Sequence, residues 1–276
     1  MTVQSYLDDA VAAMTPSAGD RTAASAHRTA IQDAVVSGMD AFRIFETGSW
    51  SHGTALRVWS DVDYFASMRH VRPSQSYDDI LQLKNVLADK LRWSARSVTI
   101  DRPGVRIEWP SGPPTEVMPA HVAGDDDYWI PDPKGTGWVK SSPLKHNEYV
   151  NGTRDLIPRT KDFVRLVKLW KYRSGAPIAS LYLELRAAKY LREHQPFAMM
   201  LDLTGFFSWL NAIELAGLND PSRFDGRRIT AAGDSLLPLA RLYAETAASR
   251  ADQARTAYLA SDYLGAQLHL QQLISP

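Results

Sequence analysis

The hydrophobic pattern of this 276-residue chain is mixed in its first half and helical in its second, and that division limits the folds open to it. Up to residue 118 helical spacing alternates with short period-two runs, whereas beyond residue 142 the spacing is helical throughout. Residues 3–42 are rich in alanine, with Leu7, Val11 and Met14 and then Ile31 and Val35 at helical intervals. The break at Pro16–Asp20 predicts two helices there. Over Ala55–Phe65 the pattern becomes that of a strand, with Val58, Ser60, Val62 and Tyr64 on one face and Trp59, Asp61, Asp63 and Phe65 on the other. Tyr77–Trp93 returns to helical spacing, and Ser97–Ile100, Val105–Trp109 and Thr115–Met118 predict three short strands. Gly124–Ser142 is rich in Gly, Pro and Asp and predicts a long loop at a lobe boundary. Helices are expected over Pro143–Asp155, Lys161–Arg173, Ala179–Glu193, Met199–Ala216 and Asp234–Gln271. The expected fold class is therefore α+β: a mixed-sheet lobe with its N-terminal helices over residues 1–140, then a helical lobe over 141–276.

Composition removes several function classes. Thirty-one Lys and Arg balance thirty-one Asp and Glu, so the chain is not built to coat nucleic acid or an anionic membrane, and any basic site must be local. Cysteine is absent, which excludes a disulfide framework, a thiolate zinc site and a cysteine nucleophile. Asp8 and Asp9 stand where a secretory signal would carry positive charge, and no apolar run approaches the roughly 18 residues of a membrane span. These features predict a soluble, cytoplasmic protein.

Asp61 and Asp63 lie two apart on the predicted strand, so they point the same way, about 6–7 Å apart along the backbone. Two such carboxylates can share a hard divalent cation, which keeps coordination places for substrate phosphates. Just upstream, in Gly48-Ser49-Trp50-Ser51-His52-Gly53-Thr54, two glycines allow main-chain N–H groups to approach an anion while Ser49 and Thr54 offer hydroxyls. Together the segments read G-S-x-x-x-G-T-x6-D-x-D, a pattern that chance produces in about one chain in 10⁵ at ordinary residue frequencies. In the second half, Lys161, Arg165, Lys168 and Lys171 recur at helical intervals opposite Phe163, Val167 and Trp170, a cationic stripe suited to polyphosphate. His52, His121 and His146 are too scattered to suggest a metal cluster by spacing and read as loop or core hydrogen-bonding groups; Asp125-Asp126-Asp127 reads as a solvated loop, and the eight tryptophans as core.

The glycine-serine turn followed by a strand with two acids resembles the polymerase-β-like nucleotidyltransferase superfamily. That resemblance implies a third acidic ligand on a neighbouring strand in an apolar-acid-apolar-x-Pro setting, which Glu116-Val117-Met118-Pro119-Ala120 fits; Glu108, on the preceding strand, is the rival. Further text resembles the bacterial cGAS/DncV-like nucleotidyltransferases. It comprises Gly137-Trp138-Val139-Lys140-Ser141-Ser142-Pro143, His146-Asn147, Val164–Trp170, Ser180-Leu181-Tyr182-Leu183-Glu184, Asp220-Pro221 and Gly226-Arg227. The likeness spans about residues 45–230 and implies synthesis of a cyclic di- or trinucleotide signal from nucleoside triphosphates (ATP, GTP, or pyrimidine NTPs) in anti-phage signalling, with a downstream effector reading the product. It implies two Mg²⁺ ions, or Mn²⁺, held by Asp61, Asp63 and Glu116 in a cleft between lobes. Gly48, Ser49, Lys168 and Ser180 would hold donor phosphates and Tyr182 would stack on a base. No membrane and no long nucleic acid are expected as partners. Two other outcomes stay open: nucleotide transfer to RNA or protein without ring closure, and an antitoxin-like binding module with a vestigial site.

Overall fold

The computed structural model describes residues 2–222 and 227–274; Gly226 of the motif above lies outside them. The chain forms two compact units, residues 16–147 and residues 1–15 with 148–276.

In the first unit, α2 (Ala18–Gly38) begins at a capping box in which the Ser17 hydroxyl accepts from the Asp20 N–H while the Asp20 carboxylate accepts from the Ser17 N–H. β1 (Ala41–Thr47), the one-turn α3 (Gly48–His52), β2 (Val62–Met68) and α4 (Ser76–Lys90) follow, then β3 (Ser97–Asp101), β4 (Gly104–Glu108) and β5 (Thr115–Val122). The sheet order is β1-β2-β5-β4-β3, with β2 and β5 parallel and the other neighbours antiparallel. Ile31 and Val35 of α2 and Ile80, Leu83 and Leu87 of α4 pack on one face of it, against Ile44, Val62, Tyr64, Ile107 and Val117. Because side chains alternate along a strand, Asp63 and Glu116 lie on the opposite face, the face on which Phe65, Ala120 and Tyr128 form a smaller apolar cluster with Phe45 and Met118.

Two expectations change here. The strand predicted over Ala55–Phe65 begins only at Val62, because residues 56–60 form a turn in which Val58 takes φ +76° and the Ser60 hydroxyl accepts from the Leu56 N–H at 2.9 Å. The predicted loop over Gly124–Ser142 contains β6 (Tyr128–Pro131) and β7 (Trp138–Ser141), an antiparallel pair that extends the sheet from β5. Four-residue strands leave almost no periodic trace among glycines, prolines and aspartates.

The helical unit contains α1 (Val3–Met14), the C-terminal part of α5 (Pro143–Leu156), α6 (Thr160–Ser174), α7 (Ser180–Glu193), α8 (Met199–Ala212), the short strands β8 (Leu218–Asn219) and β9 (Arg228–Ile229), α9 (Leu237–Leu259) and α10 (Tyr263–Ile274). α1 belongs here rather than with the sheet: Val3, Leu7 and Val11 are buried, α1 packs on α6, α8 and α10, and Arg159 pairs with Asp8 at 2.6 Å. α6 is enclosed on nearly every side, with Phe163, Val164, Leu166, Val167, Lys168, Leu169 and Trp170 all buried. α9 turns a seam of Ala240, Ala244, Ala247, Ala251 and Ala254 inward, a four-three spacing of small residues that lets α8 and α10 approach closely. The single helix expected over Asp234–Gln271 is broken between α9 and α10, where Ser261 takes φ +63°. Its Ala-Ser-Asp sequence carries no Gly or Pro to announce the break.

Candidate active site

Asp63 on β2 is the register partner of Glu116 on β5, and Asp61 immediately precedes β2. A carboxylate oxygen from each of Asp61, Asp63 and Glu116 lies within 4.8 Å of the other two. The parallel pairing brings about this convergence: residues 53 positions apart in sequence sit side by side because both strands run the same way and present the same face. Glu108 stays outside the cluster. It accepts from Arg106 Nε at 2.7 Å, so Glu116 is the third acid.

Burial first, and then repulsion from Asp61 and Asp101, push the Glu116 carboxyl up to about 7, with Arg106 opposing the shift. Arg106, the β4 register partner of Glu116, donates to Asp61 at 3.0 Å. The sequence reading omitted it. Its signal is a lone arginine on the polar face of a strand, next to the strand that bears the third acid. All-oxygen, anionic donors at this spacing fit a hard divalent cation.

Gly48 explains why a glycine opens the turn. It takes φ +63°, and any β-carbon there would collide with the Asp63 carboxylate. Only a residue without a side chain lets the backbone run this close to the Asp63 carboxylate. Gly53 ends α3 at φ +70°, and Thr54 donates its N–H to the Ser49 carbonyl at 2.8 Å, folding the segment into one compact turn. The Thr47 side chain makes no capping hydrogen bond at the N-terminus of α3.

The helical unit corrects two expected roles. Lys168 is 1% exposed and forms an ion pair with Glu184 of α7 at 3.8 Å, so it is a buried structural charge and cannot reach out to a triphosphate. Arg165 is likewise engaged by Asp162 at 3.3 Å, so two of the four cations of the anticipated stripe meet carboxylates within the unit. Tyr182 is fully buried and donates its hydroxyl to the Ala216 carbonyl at 2.8 Å, so its ring offers no face to a base. The lysine that meets Ser180 is Lys171, one helical turn beyond Lys168, which donates to the Ser180 hydroxyl at 2.6 Å. Tyr172 OH lies 3.2 Å from the same hydroxyl. Burial, and then the neighbouring Lys168 charge, lower Lys171 to about 8. Asp220 of the Asp-Pro motif is also structural: it accepts from the Ser222 N–H and hydroxyl at 2.8 and 2.6 Å.

A mixed sheet carrying three convergent acids behind a glycine-serine turn defines the nucleotidyltransferase class of fold. The family described as the Second Messenger Oligonucleotide or Dinucleotide Synthetase domain matches residues 1–153, more than half of the chain, and the chain belongs to that family. A curated relative, "Cyclic AMP-AMP-AMP synthase" of Escherichia coli (strain MS 115-1), is 28% identical over 191 residues; the match spans 63% of this chain and only 58% of the relative. Among solved structures, CdnC of the same strain with ATP superposes at TM-score 0.81 and 17% identity, covering 100% of this chain and 98% of that one. The Bradyrhizobium diazoefficiens CD-NTase CdnG with GTP gives 0.71 at 11% identity, over 98% and 96% of the two chains. Apo Vibrio cholerae DncV gives 0.68 at 15% identity, over 85% and 69%. At these identities the structural matches establish a shared fold. No helix of the described residues is long and apolar enough to cross a membrane.

Proposed function

We propose that this protein is a metal-dependent nucleotidyltransferase that joins nucleoside triphosphates into a cyclic di- or trinucleotide second messenger. One observation carries the proposal: Asp61, Asp63 and Glu116 converge to within 4.8 Å on the sheet face opposite the α2–α4 core, beside the Gly48 turn. Family membership supports it, as does the name of the curated relative, whose product is built from AMP units. ATP is accordingly the first substrate to test, with GTP next because CdnG was solved with it.

Asp61, Asp63 and Glu116 would hold two Mg²⁺ ions. When bound, such ions lower the pKa of a ribose hydroxyl and offset the charge of the departing pyrophosphate. The protein's own groups do the rest. Ser49 and the backbone at Gly48 would cradle donor phosphates, and within the helical unit Lys171 with Ser180, in place of Lys168, offers a cation and a hydroxyl suited to a phosphate group. Arg106 holds the Asp61 carboxylate in place. In each transfer a ribose oxygen bonds to the α-phosphorus of the donor, the bond to the β-phosphate oxygen breaks, pyrophosphate leaves and the hydroxyl proton goes to solvent. Closing the ring repeats the same step on the linear intermediate. In the cell this product would act through a separate effector in anti-phage signalling.

The test is mass spectrometry of phosphatase-treated product after incubation with the four NTPs and Mg²⁺ or Mn²⁺. A phosphatase-resistant cyclic species, absent with Asp63→Asn, is expected. Label transferred only to RNA or protein, or no transfer under any activating condition, would overturn ring closure.

A further inference from the structure

A second cluster of metal-ligating groups lies in the sheet unit, away from the three acids. Asp79, in the first turn of α4, is 3% exposed, yet two imidazoles, and no lysine or arginine among the described residues, face its carboxylate. His70 Nε2 lies 3.0 Å from Asp79 Oδ1 and His121 Nε2 lies 2.7 Å from Asp79 Oδ2. Ligand atoms of all three residues fall within 4.8 Å of one another. The sequence reading dismissed His121 because its histidine neighbours along the chain are distant. The fold instead supplies His70 from the segment after β2 and Asp79 from α4.

The geometry points to a site for a divalent transition-metal ion, Zn²⁺ being the natural probe, held by His70 Nε2, His121 Nε2 and Asp79. Four-coordinate zinc with bonds of about 2.0–2.2 Å spaces its ligand atoms about 3.3 Å apart; the imidazoles meet different oxygens of Asp79, at 3.0 and 2.7 Å, so a shared ion requires the carboxylate to turn one oxygen toward both rings. Two neutral nitrogens with one carboxylate suit a borderline-soft ion and suit Mg²⁺ poorly, whereas the three acids have the reverse preference. The His70 side chain is 29% exposed, which provides an entry path and room for a water as fourth ligand. The edge of Trp138, with ring centroids 4.9 Å apart, steadies the His121 ring.

The location suggests what such an ion would do. Asp63 pairs with Glu116 near the start of the parallel β2–β5 ladder, and Ser67 pairs with Ala120 toward its end. His70 and His121 therefore emerge at the opposite end of the strand pair that aligns the acids, about 16 Å away at roughly 3.3 Å per residue. An ion there would staple α4 to the far ends of both strands.

The decisive experiment titrates Zn²⁺ into chelator-stripped protein carrying Asp61→Asn and Asp63→Asn, with Mg²⁺ in excess, so that the three acids cannot answer for the histidines. One tight equivalent is expected, with a rise in Tm of at least about 4 °C at saturating Zn²⁺. Co²⁺ substituted for Zn²⁺ should give visible d–d bands. His70→Ala, a change at a partly exposed position, should weaken binding at least tenfold and abolish both the bands and the Tm rise while leaving the far-ultraviolet spectrum intact. Equal Zn²⁺ affinity in His70→Ala and its parent, no binding in excess Mg²⁺, or loss of the Zn²⁺ equivalent when only the acids are changed would each overturn the site. None of these readouts depends on nucleotide transfer, so the proposed activity and the proposed site stand or fall separately.

Discussion

The two units treat buried charge in opposite ways. In the helical unit Lys168 forms an ion pair with Glu184 inside the core, both side chains being buried. In the sheet unit three acids crowd within 4.8 Å of one another, an excess of like charge that Arg106, divided between Asp61 and Glu108, offsets only in part. Glu116 registers the excess, its carboxyl held near 7 by burial and by repulsion from Asp61 and Asp101. A buried ion pair is architecture; a crowded set of acids that the fold nevertheless keeps is the proposed place for a cation. The two should therefore fail in opposite ways when cut.

The largest effect is expected from Asp61→Asn or Asp63→Asn. Removing one ligand forfeits the several kcal/mol that metal ions contribute to transition-state charge stabilisation, or about 10³-fold in turnover. The fold should survive, because one carboxylate fewer relieves repulsion; initial rates and Tm measured together check both halves. An active Asn variant, or one that unfolds, would break the contrast between the units.

Next in size is Lys168→Ala, which leaves Glu184 buried without its partner. A loss of about 3 kcal/mol in unfolding free energy is expected, read from denaturant melts. The double change Lys168→Met with Glu184→Leu should recover most of it, since two packed apolar side chains replace a pair that must be desolvated. If Lys168→Ala were as stable as the parent and instead lost triphosphate affinity, Lys168 would return to the binding role that its spacing suggested.

These two cases also mark how far the sequence was legible. Asp61 and Asp63 could be placed together because strand alternation assigns a face to each side chain and the glycine-serine turn marks their strand, whereas Glu116 came from the family resemblance, with Glu108 as its rival. Lys168 was misjudged because spacing on one helix says nothing about the helix that covers it. Glu184, sixteen residues on and in a different element, decides whether the lysine is a surface charge or a buried one. Tyr182 failed likewise, since its neighbour Ala216 comes from beyond α8. The His70–Asp79–His121 cluster was invisible for the same reason, each member arriving from a different element. What alternation and turn chemistry encode is local, whereas burial of a polar group depends on partners that only the tertiary fold brings.

Gly48→Ala is the third test, smaller because it perturbs a ligand without removing it. The left-handed backbone costs a non-glycine residue about 1–2 kcal/mol, and the added methyl must displace the Asp63 carboxylate. A modest fall in Tm with a roughly tenfold drop in turnover is expected, the tenfold corresponding to about 1.4 kcal/mol of lost alignment. Raising Mg²⁺ should rescue part of the activity, because a displaced ligand weakens metal binding while a removed one abolishes it. Failure of added Mg²⁺ to help would mean that Gly48 serves the phosphates rather than Asp63.

The smallest effect concerns pH and tests whether Lys171 has taken the role first assigned to Lys168. Burial and the adjacent Lys168 charge lower Lys171 to about 8. It is therefore cationic at neutral pH and loses its charge as pH rises through that value, the direction expected of a desolvated amine. If Lys171 binds triphosphate, affinity for a non-hydrolysable NTP should weaken several-fold between pH 7 and pH 9. Binding is the right readout, because turnover also rises with pH as the ribose hydroxyl becomes easier to deprotonate, and the two trends would mask each other. Bound triphosphate favours the charged amine, so the midpoint in the complex should move above that of the free protein, in keeping with linkage. Lys171→Met should flatten the profile at the weak-binding limit without the stability loss expected of Lys168→Ala. A sloping profile retained in Lys171→Met would assign the titration to another group and remove Lys171 from the proposed triphosphate site.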